Sequence, residues 1–548
     1  MPVDPIAELR QSVREGVAAL ADAPPKAEPT LERPPKAELG DYSTNAAMLL
    51  APLVGRPPRE VAEDLVQGIG DRLGDGVTRL EVAGPGFVNF FFSGAWYREA
   101  TARLIDEPEL GVADANGHRV LVEFVSANPT GPLTAAGGRH AAYGDALSRL
   151  LEMAGFTVGR EYYVNDAGSQ VRRFAASIAA RMAGEDPPED GYAGEYLIAL
   201  GEELREQGAD PDDLDQLGKL GVAAMVGRIE TTLDRFGVRF DRFASEQALY
   251  DEGLVDRAMA DFAEKGHSYE HDGATWLRTT TFGDDKDRVL VRADGEPTYL
   301  ASDAAYHRQK FEREQGWETL IDVWGADHHG YIGRVKAALA ALDFDPDRFE
   351  ALIMQLVHLV DGGARAQMSK RAGEFVSLDE LLDDIGVDAA RFFMLHRSHD
   401  TTLDLDLDLA RSRSQENPVY YVQYAHARIA GILAKAANEA EISEDDVIAA
   451  ARSQSVLAAA CEPAESALVR RLLELPEEIR IAAEKRAPHR LCAYASATAA
   501  DFHSFYRDCR VVGAEPDLQL ARLGLCLAAK RTIATTLGAL GIGAPEQM

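Results

Sequence analysis

The stretch VLVEFVSANPTGPLTAAGGRHAAYGDALSRLLEMAG, Val120 to Gly155, decides the fold. Val120–Val125 is an apolar run interrupted only by Glu123, the pattern of a strand covered on both faces. A Pro/Gly loop follows through Pro132. From Thr134 onward apolar residues recur at helical spacing, and Gly155 supplies a helix stop. A buried strand feeding a helix through a short loop opens a parallel α/β unit. The helix start, with Gly137–Gly138 in its first turn, offers backbone N–H groups and a helix dipole to an anion such as a nucleotide phosphate. A tight turn that lets helix and sheet pack closely explains the same residues.

Outward from this unit, Arg288–Arg292, Pro297–Ser302, Thr319–Gly325 and Ala351–Val360 read as further strands. Strands alternating with helices predict a doubly wound parallel sheet over residues 116–395, with ligands beyond the carboxyl ends of the strands. The acidic stretch from about 171 to 273 reads as a helical insertion. Residues 1–115 read as an α+β domain, with Pro57 and Pro58 opening a helix and Leu80–Phe92 strand-like. Residues 396–548 read as all-helical, Val419–Ala440 showing the clearest periodicity. The fold class is therefore α/β with two appended domains.

The chain holds 57 basic and 90 acidic side chains, a net charge of −33. A protein that coats nucleic acid or anionic membrane by overall attraction is excluded, while a local basic surface is not. Such a surface is placed in the last domain, where residues 464–548 carry 11 basic and 10 acidic side chains. The four cysteines, Cys461, Cys492, Cys509 and Cys526, form no CxxC pair, so neither a disulfide framework nor a protein-bound structural metal is expected. The opening MPVDPIAELR has no basic-then-apolar leader, and no apolar run reaches the roughly 18 residues of a membrane span. A soluble, cytoplasmic, multidomain protein is the expectation.

A second motif, QMSKRAGEF (Gln367–Phe375), follows a strand and precedes a helix that Ser377 and Glu380 open as a capping box. Lys370 and Arg371 between Met368, Ser369 and Gly373 suit a loop that brings positive charge to a phosphate. A solvated basic turn reads equally well from these residues alone.

Taken together, the Gly/Pro helix entry after the first strand and the Met-Ser-Lys loop after the last resemble the two signature motifs of class I aminoacyl-tRNA synthetases. SANPTGPL, REYYVNDAGSQVRRF, GADHHGYIGRVKAAL, MSKRAGEFVSLDELL, ENPVYYVQYAHARI and LGIGAPEQM resemble bacterial arginyl-tRNA synthetases, and GDYSTNAAMLLA and VAGPGFVNF their N-terminal domain. The resemblance covers essentially the whole chain. It implies a Rossmann-like catalytic domain, an N-terminal domain on the tRNA body and a C-terminal anticodon-binding domain. It further implies a monomer acting on arginine, tRNA(Arg) and ATP with Mg2+. Glu123 and Asn128 match residues that contact the amino acid, Tyr299 and Asp303 those on its guanidinium side, and Asp327 a further pocket residue. ATP falls to Ala127, Asn128, Pro129, Thr130, Gly131, Pro132, Leu133, Thr134, Ala135, Ala136, Gly137 and Gly138, with Met368, Ser369 and Lys370. Carboxylates are suited to arginine, whose planar fork takes paired hydrogen bonds.

Two positions depart from the family pattern. The family's His-x-Gly-His is Thr134-Ala135-Ala136-Gly137 here, and Gln367 stands at the first lysine of the lysine loop. The expectation is that Lys370, the Thr134 hydroxyl, the amides of Gly137 and Gly138, and Arg139 or His140 take over phosphate stabilisation. Candidates for tRNA contact are Arg507, Arg510, Arg522, Lys530 and Arg531. A tRNA-binding relative that has lost catalysis is the alternative reading.

Overall fold

The computed structural model describes residues 5–21, 23–34, 36–107, 110–313, 316–365, 376–458, 460 and 462–548. Met368, Ser369 and Lys370 lie outside them. At the centre are five parallel strands: β1 (Arg119–Glu123), β2 (Thr157–Val164), β3 (Arg242–Ser245), β4 (Thr319–Gly325) and β5 (Phe349–Met354). Their order is β5-β4-β1-β2-β3, so the winding reverses at β1. A crevice opens there beyond the carboxyl ends, where ligands bind in such sheets. Helix α1 (Ala135–Met153) follows β1 and lies close on it. A Cβ on Gly144 would meet the Phe124 ring at 2.1 Å, so only glycine permits this approach.

Five readings of the sequence need correction. Pro297–Ser302 is no strand: Thr298 is the N-cap of helix α2 (Tyr299–Glu312), and a short apolar run does not separate the two states. Arg288–Val291 is a strand, but in a separate antiparallel sheet with Ser268–His271 and Ala274–Leu277. The run Ala351–Val360 breaks after Met354, and its second half, Val357–Asp361, pairs in parallel with Leu403–Asp406. The boundary expected near 396 thus falls ahead of a strand that belongs to the catalytic body. The insertion also ends early. Its helices Ser169–Ala183, Tyr196–Glu206 and Leu214–Arg235 are followed by β3, which returns the chain to the main sheet.

Before this body, four antiparallel strands carry the helices Pro5–Leu20, Ala46–Val54 and Pro58–Leu73. Leu80–Phe92 spans parts of two strands, Val77–Ala83 and Phe87–Phe92, turning at Gly84–Gly86. The next helix, Gly94–Asp106, packs on the C-terminal helices, and Arg470 reaches Asp41 at 2.8 Å across that junction. After Leu407–Arg411 the chain is helical, with Pro418–Ala440, His489–Asp508 and Pro516–Ala539 as its long members. No helix among the described residues is long and apolar enough to cross a membrane.

Candidate active site

A cavity of about 370 Å³ lies at the carboxyl ends of β1, β2 and β4. Its floor carries an electrostatic problem. Glu123 and Asp322 are register partners on β1 and β4, and both are buried. Two like charges side by side in a low dielectric are costly. Lys310, from the third turn of α2, is fully buried and donates to both, reaching Asp322 at 2.9 Å. His307 joins Asp322 to the Asp303 carbonyl, each at 2.8 Å. Burial works to lower the Lys310 pKa, but Asp322 and Glu123 outweigh it and the amine stays charged. Burial and Asp322 raise Glu123, while Lys310 and His307 hold Asp322 low against its own burial.

The same face of α2 supplies the wall. Tyr299, its first residue, is exposed at the mouth, and Asp303 stands one turn on, lining the cavity. Residues four apart on a helix share a face, which is why the Tyr-x-x-x-Asp spacing converges on one place. Asp303 is raised chiefly by burial. Beside it lies Glu246, the buried first residue of the helix Glu246–Asp251. Burial, then Asp303, pushes Glu246 up to about 7. The sequence reading missed Glu246. Its one signal was position, directly after a strand that was itself taken for insertion.

An empty site with this pair predicts a pH effect. A bound cation needs ionised carboxylates, so the Kd of a cationic ligand (arginine, by the resemblance above) should fall as pH rises from about 6 to 8, by up to tenfold per unit below the Glu246 pKa. Calorimetric titration across that range checks it, and Glu246→Gln should flatten the profile while weakening binding.

Among the described residues, two buried polar atoms that line the cavity have no hydrogen-bond partner, His140 Nδ1 and Asn165 Oδ1, and the Tyr331 hydroxyl lies beside Asp303. Buried polar atoms are nearly always paired, so their convergence marks a place built for a polar ligand. Burial lowers the His140 pKa to about 4, keeping the imidazole neutral. Backbone strain lies at the same edge. Val125 and Ser126 have φ of +69° and +39°, in the left-handed region that a β-branched residue avoids. This turn aims the Ser126 hydroxyl at Glu123, to which it donates at 2.8 Å while accepting from the Tyr163 N–H at 3.1 Å. Asn128 stands exposed at the mouth. Ala127 and Thr130 are held by the Tyr162 and Tyr196 hydroxyls, which donate to their carbonyls.

The helix start corrects an expectation. The Thr134 hydroxyl accepts from the Gly137 N–H at 3.2 Å, and the Gly138 N–H donates to the Thr134 carbonyl at 3.0 Å. Those amides are engaged within the helix and are not available to phosphate. Both glycines instead permit close packing. A Cβ on Gly137 would meet Leu133 at 2.5 Å, and one on Gly138 would meet Leu378 at 2.6 Å. The Ala135 N–H donates to the Val376 carbonyl at 3.1 Å, and the Leu378 N–H to the Leu133 carbonyl at 2.7 Å. The chain leaving the Met-Ser-Lys motif is thereby stitched to the start of α1, where Ser377 and Glu380 form the expected capping box.

Arg139 points away from the cavity. Its buried guanidinium donates to the carbonyls of Gln355, Ser398 and Thr401 at 2.9–3.0 Å, a structural role. Asp327 does not line the cavity; its side chain is 83% exposed, 3.5 Å from His328. In the C-terminal helices, Arg522 is buried against Glu465 at 2.6 Å, so it cannot meet a surface partner. Lys530 is paired with Glu546 at 2.7 Å, and Arg531 spans Glu444 and the Ile105 carbonyl, so both serve packing of the chain end and of the linking helix. Arg507 and Arg510 are exposed and line a groove with Arg428 and Lys435, two residues the sequence reading passed over. Arg428 lies over the Tyr424 and Tyr506 rings, 4.8 and 5.3 Å from their centres.

Comparison with known proteins accounts for this arrangement. The family model "Arginyl tRNA synthetase N terminal domain" matches residues 7–92. "tRNA synthetases class I (R), catalytic domain" matches 99–187 and 205–412, and "DALR anticodon binding domain" matches 422–548. The chain belongs to the arginyl-tRNA synthetase family. The arginine–tRNA ligase of Shouchella clausii is 44% identical over 99% of this chain and 98% of its own. That of Salinibacter ruber is 42% identical over 98% and 99%. The arginyl-tRNA synthetase of Thermus thermophilus superposes with a TM-score of 0.80 at 25% identity, over 99% of this chain and 100% of that one. The synthetase fold places the cavity beside the start of α1, the two features that its first motif joins.

Proposed function

We propose that this synthetase is an arginine–tRNA ligase that couples cleavage of ATP to AMP and pyrophosphate with esterification of tRNA(Arg). The observation that carries the reading is the acidic cavity. Asp303, Glu246 and Glu123 all line it, together with the unpartnered polar atoms His140 Nδ1 and Asn165 Oδ1. Arginine carries a planar cation at one end and an ammonium at the other, so it needs carboxylates at both. Asp303, Glu246 and the Tyr299 hydroxyl receive the guanidinium; Glu123 and Asn128 receive the amino-acid end.

The arginine carboxylate then attacks the α-phosphorus of Mg-ATP. A phosphorus–oxygen bond forms to arginine, the bond to the β-phosphate oxygen breaks, and pyrophosphate leaves. The 2′ hydroxyl of the tRNA terminal adenosine next attacks the carbonyl carbon, and AMP leaves as the ester forms. No protein nucleophile is required; the chain supplies positioning and charge stabilisation. ATP lies along Ala127–Gly138, with Mg2+ entering as its counter-ion and Lys370 on the phosphates. Residues 1–115 take the tRNA body, the parallel-sheet body through Arg411 the chemistry and the helices after it the anticodon end. In that last part the Arg428, Lys435, Arg507 and Arg510 groove is the polyanion contact. The protein acts as a cytoplasmic monomer.

Charging of tRNA(Arg) with each of the twenty amino acids and Mg-ATP tests this. Arginine alone should be esterified. Lysine, a point charge on a flexible stem, would leave buried carboxylate oxygens unpaired and should be rejected strongly. Equal charging of lysine, or tRNA binding with no arginyl-tRNA formed, overturns the reading.

A further inference from the structure

Lys310 and His307 do more than neutralise buried charge. Asp303, His307 and Lys310 are successive members of one face of α2, and a helix is a stiff element with about 1.5 Å of rise per residue. The helix meets the sheet through two polar ties. The Lys310 amine is bound to Glu123 on β1 and Asp322 on β4, and the His307 imidazole to Asp322. Lys310 is completely buried, and its amine also lies 4.3 Å from the centre of the Tyr306 ring. The Tyr306 hydroxyl donates to Glu161 on β2 at 2.6 Å, giving α2 a third polar attachment to the sheet. Glu123 is thus at once an anchor of α2 and one of the two carboxylate stations of the cavity. Asp303, the other station, rides on the helix that Glu123 anchors. The distance between the stations is therefore set by the Lys310 and His307 ties.

We infer that Lys310 is a positioning residue that fixes the spacing of the two carboxylate stations, and with it the length of cationic side chain the cavity accepts. This rests on the arginine reading above and extends it to discrimination among homologues. One methylene more or less displaces a terminal cation by about a bond length, and misfits of this size in a fitted pocket change kcat/KM by about 10- to 200-fold. Loss of the tie lets α2 settle differently on the sheet, so the penalty on a wrong length should shrink.

The experiment compares arginine with homoarginine, one methylene longer, and with the guanidino amino acid one methylene shorter, in tRNA(Arg) charging by the full chain. The parent should prefer arginine by at least about tenfold over each. Lys310→Met keeps the unbranched stem and removes the amine. It should raise the KM for arginine about tenfold, change kcat less, and reduce the preference over homologues by about tenfold. Should that variant fail to fold, His307→Leu removes the other tie while Lys310 stays. Its preference should fall about threefold, read by equilibrium binding of arginine and homoarginine. A purely structural role lowers thermal stability or the active fraction and leaves the preference intact. That result, or a parent that accepts all three lengths equally, overturns the inference. A parent that charges no arginine overturns the functional reading instead, so the two failures are distinct.

Discussion

Asp303→Asn should lower kcat/KM for arginine by two to three orders of magnitude. The side chain lines the cavity on the first turns of α2, and removing one partner of a desolvated charge pair costs about 3–5 kcal/mol. Arginine-dependent charging of tRNA(Arg) measures the loss, and the KM for ATP should change little, because the proposal sets Asp303 at the guanidinium end of arginine, away from the reacting carboxylate. The same substitution should stabilise the empty protein. Burial and then Asp322 raise Asp303, and burial and then Asp303 push Glu246 up to about 7. A carboxylate with a raised folded pKa contributes stability at low pH that is lost as pH climbs through that value. Asparagine removes one group and relieves the other, so the thermal midpoint at pH 8 should rise while that at pH 5 changes little. A variant that keeps arginine activity within tenfold would remove Asp303 from the guanidinium site.

What the sequence disclosed about the site was local. Glu123 interrupts an apolar run and carries its meaning within a few residues, whereas Tyr299 and Asp303 were assigned by the family resemblance, their one-turn spacing being hidden by the strand-like run Pro297–Ser302. The α/β core was legible for the same reason, since β1 and β4 belong to apolar runs each interrupted by a single carboxylate and with clear ends. The failures were long-range. Lys310 sits in a helix whose sequence, YHRQKFE, reads as a solvated face; only the register of Glu123 against Asp322 makes its burial necessary. Glu246 depends on β3 joining a sheet 78 residues after β2 ends, which no pattern within β3 announces. Arg522 was read as a tRNA contact and Arg139 as a phosphate contact or a structural ion pair, because burial of an arginine depends on distant acceptors: Glu465 for one, three carbonyls for the other. Short apolar runs failed differently. Pro297–Ser302 and Val357–Val360 have strand-like composition, yet one opens a helix and the other joins a second sheet.

Lys370→Ala should reduce kcat at least about a hundredfold, the scale of one lost donor to developing charge, with a smaller effect on the KM for arginine. The reason lies in what the helix start no longer offers. Where the family has two histidines, this chain has Thr134 and Gly137, and these two bond to each other. The Ala135 and Gly138 amides are engaged by Val376 and Thr134, and Arg139 is turned into the protein. The proposal therefore assigns phosphate stabilisation to the Met-Ser-Lys motif, and the chain that follows it is bonded to the helix start at Val376, six residues after Lys370. Restoring the histidines is not a simple reversal, because any Cβ at Gly137 meets Leu133 at 2.5 Å. Thr134→Ala separates the two contributions. As loss of an N-cap it should cost about 1 kcal/mol of stability and less than tenfold in kcat. If Thr134→Ala instead matched Lys370→Ala in kcat, the Thr134 hydroxyl would be the group that meets the phosphate, and the cap seen in the empty protein would open when ATP binds.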